Sequence, residues 1–139
     1  MTGGFEVGAS LELRALHRIP WLPPPEGQLH AHDYRVEVVV ERAALDERGM
    51  VCDLDAVEAA LEAAVGPLEG KDLDSIRPAG VEAVTVEILA RWFHERLAAA
   101  IRAAGGEALT VRVWESPTAY GGYRAQLLTN SESGPRSTG

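Results

Sequence analysis

Between Leu29 and Glu41 the chain alternates in twos. His30, His32, Tyr34, Val36, Val38 and Val40 fall on one side; Ala31, Asp33, Arg35, Glu37, Val39 and Glu41 fall on the other. Period two is the repeat of a β-strand, so the stretch predicts a strand with one face in a core and the other mostly in water. The core-facing side opens with two histidines, an unusual start for an apolar surface.

Phe5 to His17 carries the same pattern in reverse. Phe5, Val7, Ala9, Leu11, Leu13, Ala15 and His17 share a face, and this apolar face ends, rather than begins, in a histidine. If the two strands pair as an antiparallel hairpin, the end of the first lies beside the start of the second. His17, His30 and His32 then converge at one end of the sheet. Three neutral imidazoles with a fourth position open are the donor set of a catalytic zinc site. The plainer alternative is three unrelated polar residues at strand ends; the meeting of two independent strand readings favours the metal. His94, inside a helical stretch and without a partner at ligand spacing, is expected to take a surface or interface role.

The totals narrow the partners. A chain of 139 residues with 46% hydrophobic content is long enough for one domain with a real core. A net charge of -8 argues against nucleic acid or an anionic membrane surface as the main partner, since both call for a basic patch. Met1-Thr-Gly-Gly has neither the basic start nor the apolar block of a signal peptide, and no apolar run approaches membrane-spanning length. One cysteine, Cys52, excludes an internal disulfide and suits a reducing compartment, so a cytoplasmic location is expected.

Between the two strands, Arg18 to Gln28 holds four prolines, which rule out helix or central strand and predict a long loop over the histidines. Glu26 is its only acid. Asp53 reads as the N-cap of a helix over 54–65, closed by Gly66-Pro67, and Thr85 as the N-cap of a longer helix ending at Gly105-Gly106. Glu107 to Glu115 predicts a third strand, Ser116 to Gly122 a turn, and Tyr123 to Leu128 a fourth strand. Strands grouped before and after two helices predict an α+β fold, a four-stranded antiparallel sheet with both helices on one face. Residues 1–128 are expected to form the one domain and residues 129–139, polar and rich in Ser and Gly, a disordered tail.

On pattern alone Glu26 and Glu115 read first as solvated acids. A loop carboxylate beside a metal can nevertheless move a proton if burial raises its pKa. A carboxylate at a strand end can accept two hydrogen bonds from the amino-amide edge of a heterocycle. Cys52 reads as a buried structural thiol, and Trp92 and Phe93 as core.

Five motifs in order from Leu13 to Ser116 together resemble one family. They are Leu13-Arg-Ala-Leu-His-Arg-Ile19, His30-Ala-His-Asp-Tyr34, Gly49-Met-Val-Cys-Asp53, Thr85-Val-Glu-Ile-Leu-Ala-Arg-Trp92 and Val113-Trp-Glu-Ser116. The set is similar to the 6-pyruvoyl-tetrahydropterin synthase and 6-carboxytetrahydropterin synthase family. The resemblance implies a tunnelling fold whose subunits close into barrels, as a trimer or hexamer. It also implies zinc on His17, His30 and His32, and a pterin-like substrate held by Glu115 with Thr85. Where the family has a catalytic cysteine, four residues before its His-Gly-His, this chain has Glu26. Where the family has Asp-His, it has Glu69 and Gly70. Two readings follow. One is a zinc-dependent lyase in which Glu26 replaces the cysteine base and Glu69 assists. The other is a diverged member, a zinc-containing oligomer that binds or transforms a different small molecule.

Overall fold

The structure, a computed structural model, describes residues 3–128; the tail expected over 129–139 lies outside the described residues. Four strands form one antiparallel sheet in sequence order: β1 (Phe5–His17), β2 (His30–Arg42), β3 (Ala108–Ser116) and β4 (Ala119–Gln126). Two helices, α1 (Leu54–Val65) and α2 (Val86–Ala103), follow β2. β1 and β2 pair without a slip from Phe5 opposite Arg42 to His17 opposite His30. The alternating pattern explains that regularity. Moving either strand by one residue would turn the buried Leu13, Tyr34, Val36, Val38 and Val40 out to water.

The apolar stripes of the helices close over that face. Val57, Leu61 and Val65 of α1 and Leu89, Phe93, Leu97 and Ile101 of α2 join Val36, Val38, Leu109, Val111 and Val113 in one buried cluster. Asp53 caps α1 by accepting from the Asp55 amide at 3.0 Å, and the Thr85 hydroxyl caps α2 by accepting from the Ile88 amide at 3.2 Å. Instead of stopping at Gly66, the chain continues into a short 3₁₀ turn, Gly66–Leu68. Cys52 and Phe93 are buried as expected, and Trp92 packs against the core edge-on to Phe93.

Two expectations are corrected. β4 starts at Ala119, not Tyr123, because the chain reverses in the two residues Pro117-Thr118 and the glycines that suggested a longer turn lie inside the strand. A Cβ on Gly121 would come within 2.6 Å of Val86 Cγ2 and 3.2 Å of the Glu87 amide nitrogen. Glycine there lets β4 pass close under the start of α2.

His94 is the second correction: it is core. It is 4% exposed, its Nε2–H donates to the Leu109 carbonyl at 3.0 Å, and its ring meets Tyr123 edge-on at 4.9 Å. Its neighbours on α2, Ala90 and Leu97, are buried with it, so the apolar stripe is wider than the aliphatic positions alone suggest. Burial holds its pKa below the ordinary 6.5. A base depressed in the folded state contributes stability that is complete above the unfolded pKa and is lost as pH falls below it. In urea titrations His94→Gln, which keeps a donor for Leu109 but cannot titrate, is expected to lose less stability than the native chain between about pH 7 and pH 5. Equal losses in the two proteins would contradict this.

The other face of the sheet carries polar and aromatic side chains. Arg35 lies over Trp114 at 4.7 Å, Trp114 stacks on Tyr120 at 4.6 Å, and Trp114 Nε1–H donates to Glu37 at 2.9 Å. Arg124 pairs with Glu41 at 2.9 Å. β1 and β4 are the sheet's edges. The segment after α1 lies along the last part of the β1 edge: the Leu16 amide donates to Lys71 O and the Gly70 amide to Arg14 O.

Candidate metal centre and adjoining cavities

The site forms where the β1–β2 register ends. His17 is the last residue of β1 and faces His30 across the ladder; His32, two residues on, returns to the same side opposite Ala15. The ring centroids of His17 lie 4.5 Å from those of His30 and 5.1 Å from those of His32. One ligand atom from each imidazole can be chosen so that all lie within 4.8 Å of one another. The expected convergence is therefore present.

The surroundings fix two of the rings. His30 Nδ1–H donates to the Gln28 carbonyl at 2.7 Å and so leaves Nε2 with its lone pair. His32 Nε2–H donates to the Glu115 carbonyl at 3.1 Å and leaves Nδ1 with its lone pair. Hydrogen bonds of this kind, from the far ring nitrogen to a backbone oxygen, orient metal-binding histidines. Glu115 can supply its carbonyl because β3 has a register shift between Trp114 and Ser116, a bulge that leaves Glu115 outside the β4 ladder. His17 Nδ1 is buried and has no hydrogen-bond partner. Burial first, then the neighbouring His30 and His32, lower the His17 pKa to about 4. At neutral pH it is an uncharged imidazole with a lone pair. The orphaned buried nitrogen of His17 beside two hydrogen-bonded imidazoles fits a tetrahedral zinc with one position open.

One cavity reaches the cluster at His17, and a second, with no histidine in its lining, lies next to it. The first, of about 240 Å³, is lined by His17, Trp21, Tyr34, Thr85, Glu87 and Glu115 among others. The second, of about 460 Å³, shares Tyr34 and Glu115 and extends over Asp33, Arg35 and Trp114. Thr85 and Glu115, expected to hold substrate, thus lie with His17 around one space. Tyr34 has its ring 4.6 Å from that of His32. Burial, and then the Glu115 carboxylate, push its phenol well above the usual range, so it stays protonated and keeps an O–H to donate. Tyr34 and Glu87 had no assigned role from sequence. Tyr34 continues the period-two face of His30 and His32, which is the signal that would have found it.

Glu26 and Glu69 are placed differently. Glu26 is exposed on the proline loop, its carbonyl accepting from the Ile19 amide at 2.9 Å. The Glu69 carboxylate accepts from the Arg14 amide at 2.9 Å, on the outer edge of β1. Neither lines the two cavities.

The loop that carries Glu26 also supplies Trp21 and Leu22 to the smaller cavity. It closes on itself through Leu22 N–H to Ile19 O at 3.0 Å and Gly27 N–H to Pro23 O at 3.1 Å. A Cβ on Gly27 would overlap the Leu22 carbonyl oxygen. Gly27→Ala is expected to displace this wall and lower kcat/KM by at least about tenfold, as small misplacements near a reacting centre do. Circular dichroism should remain native; unchanged kinetics would contradict a role for the loop.

The geometry has counterparts among known structures. Plasmodium vivax 6-pyruvoyl tetrahydropterin synthase is 12% identical with a TM-score of 0.68, covering 89% of this chain and 99% of that one. The Caenorhabditis elegans 6-pyruvoyl tetrahydropterin synthase is 18% identical with a TM-score of 0.67, covering 88% and 96%. At these identities the likeness establishes the fold, the tunnelling fold. Two further Plasmodium vivax structures carry substitutions at a glutamate described as a catalytic residue. No curated protein matches by sequence. A family model described as 6-pyruvoyl tetrahydropterin synthase matches residues 6–126, and with that match the chain belongs to the 6-pyruvoyl tetrahydropterin synthase family.

Proposed function

We propose that the protein is a zinc-dependent carbon–oxygen or carbon–carbon lyase of the 6-pyruvoyl/6-carboxytetrahydropterin synthase type, acting on a pterin-like substrate with Glu26 as base. The observation that carries this reading is the orphaned nitrogen of His17 beside two oriented imidazoles, with His17, Thr85 and Glu115 lining one cavity. When bound, zinc would polarise side-chain oxygens of the substrate. The Glu115 carboxylate would accept two hydrogen bonds from the amino-amide edge of the heterocycle, with Thr85 beside it. Tyr34, held protonated, would donate a hydrogen bond into the same space. Trp21 and Leu22 would keep water out.

Glu26 would take the proton, as a glutamate described as catalytic is present in the Plasmodium vivax relative. Glu69 would assist indirectly, since its carboxylate already holds the Arg14 amide and so fastens the end of β1. The sheet edges at β1 and β4 would be covered by closure of subunits into a barrel, as a trimer or hexamer. Light scattering on the purified chain checks this; a monomer would contradict it. No helix among the described residues is long and apolar enough to cross a membrane. The single buried Cys52 supports a cytoplasmic location.

The test is incubation of the zinc-loaded chain with dihydroneopterin and with its triphosphate, products being separated by chromatography. Formation of a cleaved or rearranged pterin from either supports the lyase. No product from either would overturn it in favour of the second reading, a diverged zinc-containing oligomer that binds or transforms another small molecule. That reading has its own support: Gly70 offers no side chain where the family has a histidine, and the Glu69 carboxylate is occupied at the β1 edge.

A further inference from the structure

We infer that Trp21 is a specificity-determining residue of this site, the surface on which the flat heterocycle of the substrate stacks while Glu115 takes its edge. The inference rests on the lyase reading and deepens it. Two of the chain's three tryptophans are committed within the fold. Trp92 stands edge-on to Phe93 at 5.2 Å, with Arg96 over its ring at 4.4 Å. Trp114 meets Tyr120 at 4.6 Å, lies under Arg35 and donates to Glu37. Trp21 makes no contact of these kinds among the described residues. It is 57% exposed and belongs neither to the buried core cluster nor to the side chains packed against it. It lines the same cavity as His17, Thr85 and Glu115.

The fold therefore gains little from this ring, yet it holds the backbone that carries it. Trp21 lies inside the turn from Ile19 to Leu22, which the Leu22 amide closes by donating to the Ile19 carbonyl at 3.0 Å. The Ile19 amide donates to the Glu26 carbonyl at 2.9 Å, and the Gly27 and Gln28 amides donate to the Pro23 and Pro25 carbonyls at 3.1 Å. Pro23, Pro24 and Pro25 narrow the freedom of the rest of the loop. A ring presented from a segment tied in this way gives up little backbone entropy when a ligand meets it. A pterin-like heterocycle has two kinds of surface. Its amino-amide edge suits a carboxylate, and its π faces do not. An indole serves a π face by offset stacking, and proteins hold flat nitrogen heterocycles on aromatic side chains in this manner. Ile19, Leu22 and Val84 add apolar wall to the same cavity. Its volume of about 240 Å³ falls below the usual range for ligand cavities, about 300 to 1,000 Å³, and favours one planar ring system.

The experiment is equilibrium dialysis of the zinc-loaded protein with dihydroneopterin as probe, on the native chain, Trp21→Phe and Trp21→Leu. The leucine keeps an apolar cover and removes the π face, so it separates stacking from simple exclusion of water. Trp21→Leu is expected to bind at least about tenfold more weakly than the native chain, a difference of about 1.4 kcal/mol. Trp21→Phe should recover most of that loss, and zinc content should be the same in all three. Acrylamide quenching of tryptophan emission gives a second readout. The native protein should show an accessible component that is absent from Trp21→Phe and that saturating dihydroneopterin shields. Equal binding by Trp21→Leu and the native chain would overturn the inference and leave the lyase reading standing. So would a Trp21 already shielded before ligand is added, since another surface would then cover it. Failure of dihydroneopterin to bind the native chain at all would overturn the two together.

Discussion

Glu26→Gln is expected to lower kcat by about a thousandfold while leaving zinc content, fold and assembly unchanged. General-base catalysis by a positioned side chain contributes about 10² to 10⁴ in rate. The substitution is nearly isosteric. It keeps the Glu26 carbonyl that closes the loop by accepting from the Ile19 amide. It removes only the basic lone pair. The effect should fall on kcat rather than KM, because Glu115 and Thr85 line the cavity independently of the loop acid. Glu69→Gln is the control. Its amide oxygen can still accept from the Arg14 amide, so an assisting role through the β1 edge predicts near-native rates. Full activity in Glu26→Gln would remove that residue from the mechanism.

His30→Ala is expected to have the larger effect on the metal. Loss of a hydrogen-bonded partner of a ligand typically costs 10- to 100-fold in metal affinity, and loss of a ligand costs more, so a drop of more than about a hundredfold is predicted. His30 is only half-buried at the start of β2, so the strand should persist and far-ultraviolet dichroism should not change. His32→Ala should weaken zinc to a similar degree and also strand the Glu115 carbonyl, which now accepts from His32 Nε2–H. Competition with a chromophoric chelator measures both. Retained affinity in either variant would contradict the proposed ligand set. Acidification should release zinc from the native protein, since each imidazole must be neutral to ligate.

Much of this was legible because one pattern fixes two things. Alternation in β1 and β2 sets both which face is buried and how the strands register, and the register alone brings His17 opposite His30 and within reach of His32. The caps at Asp53 and Thr85 were readable for a local reason: each side chain satisfies an amide within three residues. What escaped depended on contacts between elements distant in sequence. Gly121 looks like turn punctuation until α2 is seen to pass above it. His94 looks exposed until the Leu109 carbonyl and the Tyr123 ring are beside it. The bulge at Glu115 and the capture of the Arg14 amide by Glu69, 55 positions away, have no local signature.

The lyase reading requires that His17, His30 and His32 hold one divalent ion. Elemental analysis of the purified chain, before and after dialysis against zinc, tests it most directly. One zinc per chain in the native protein and far less in His30→Ala is the predicted result. A native chain that carries no divalent metal and takes up none from zinc-containing buffer would contradict it.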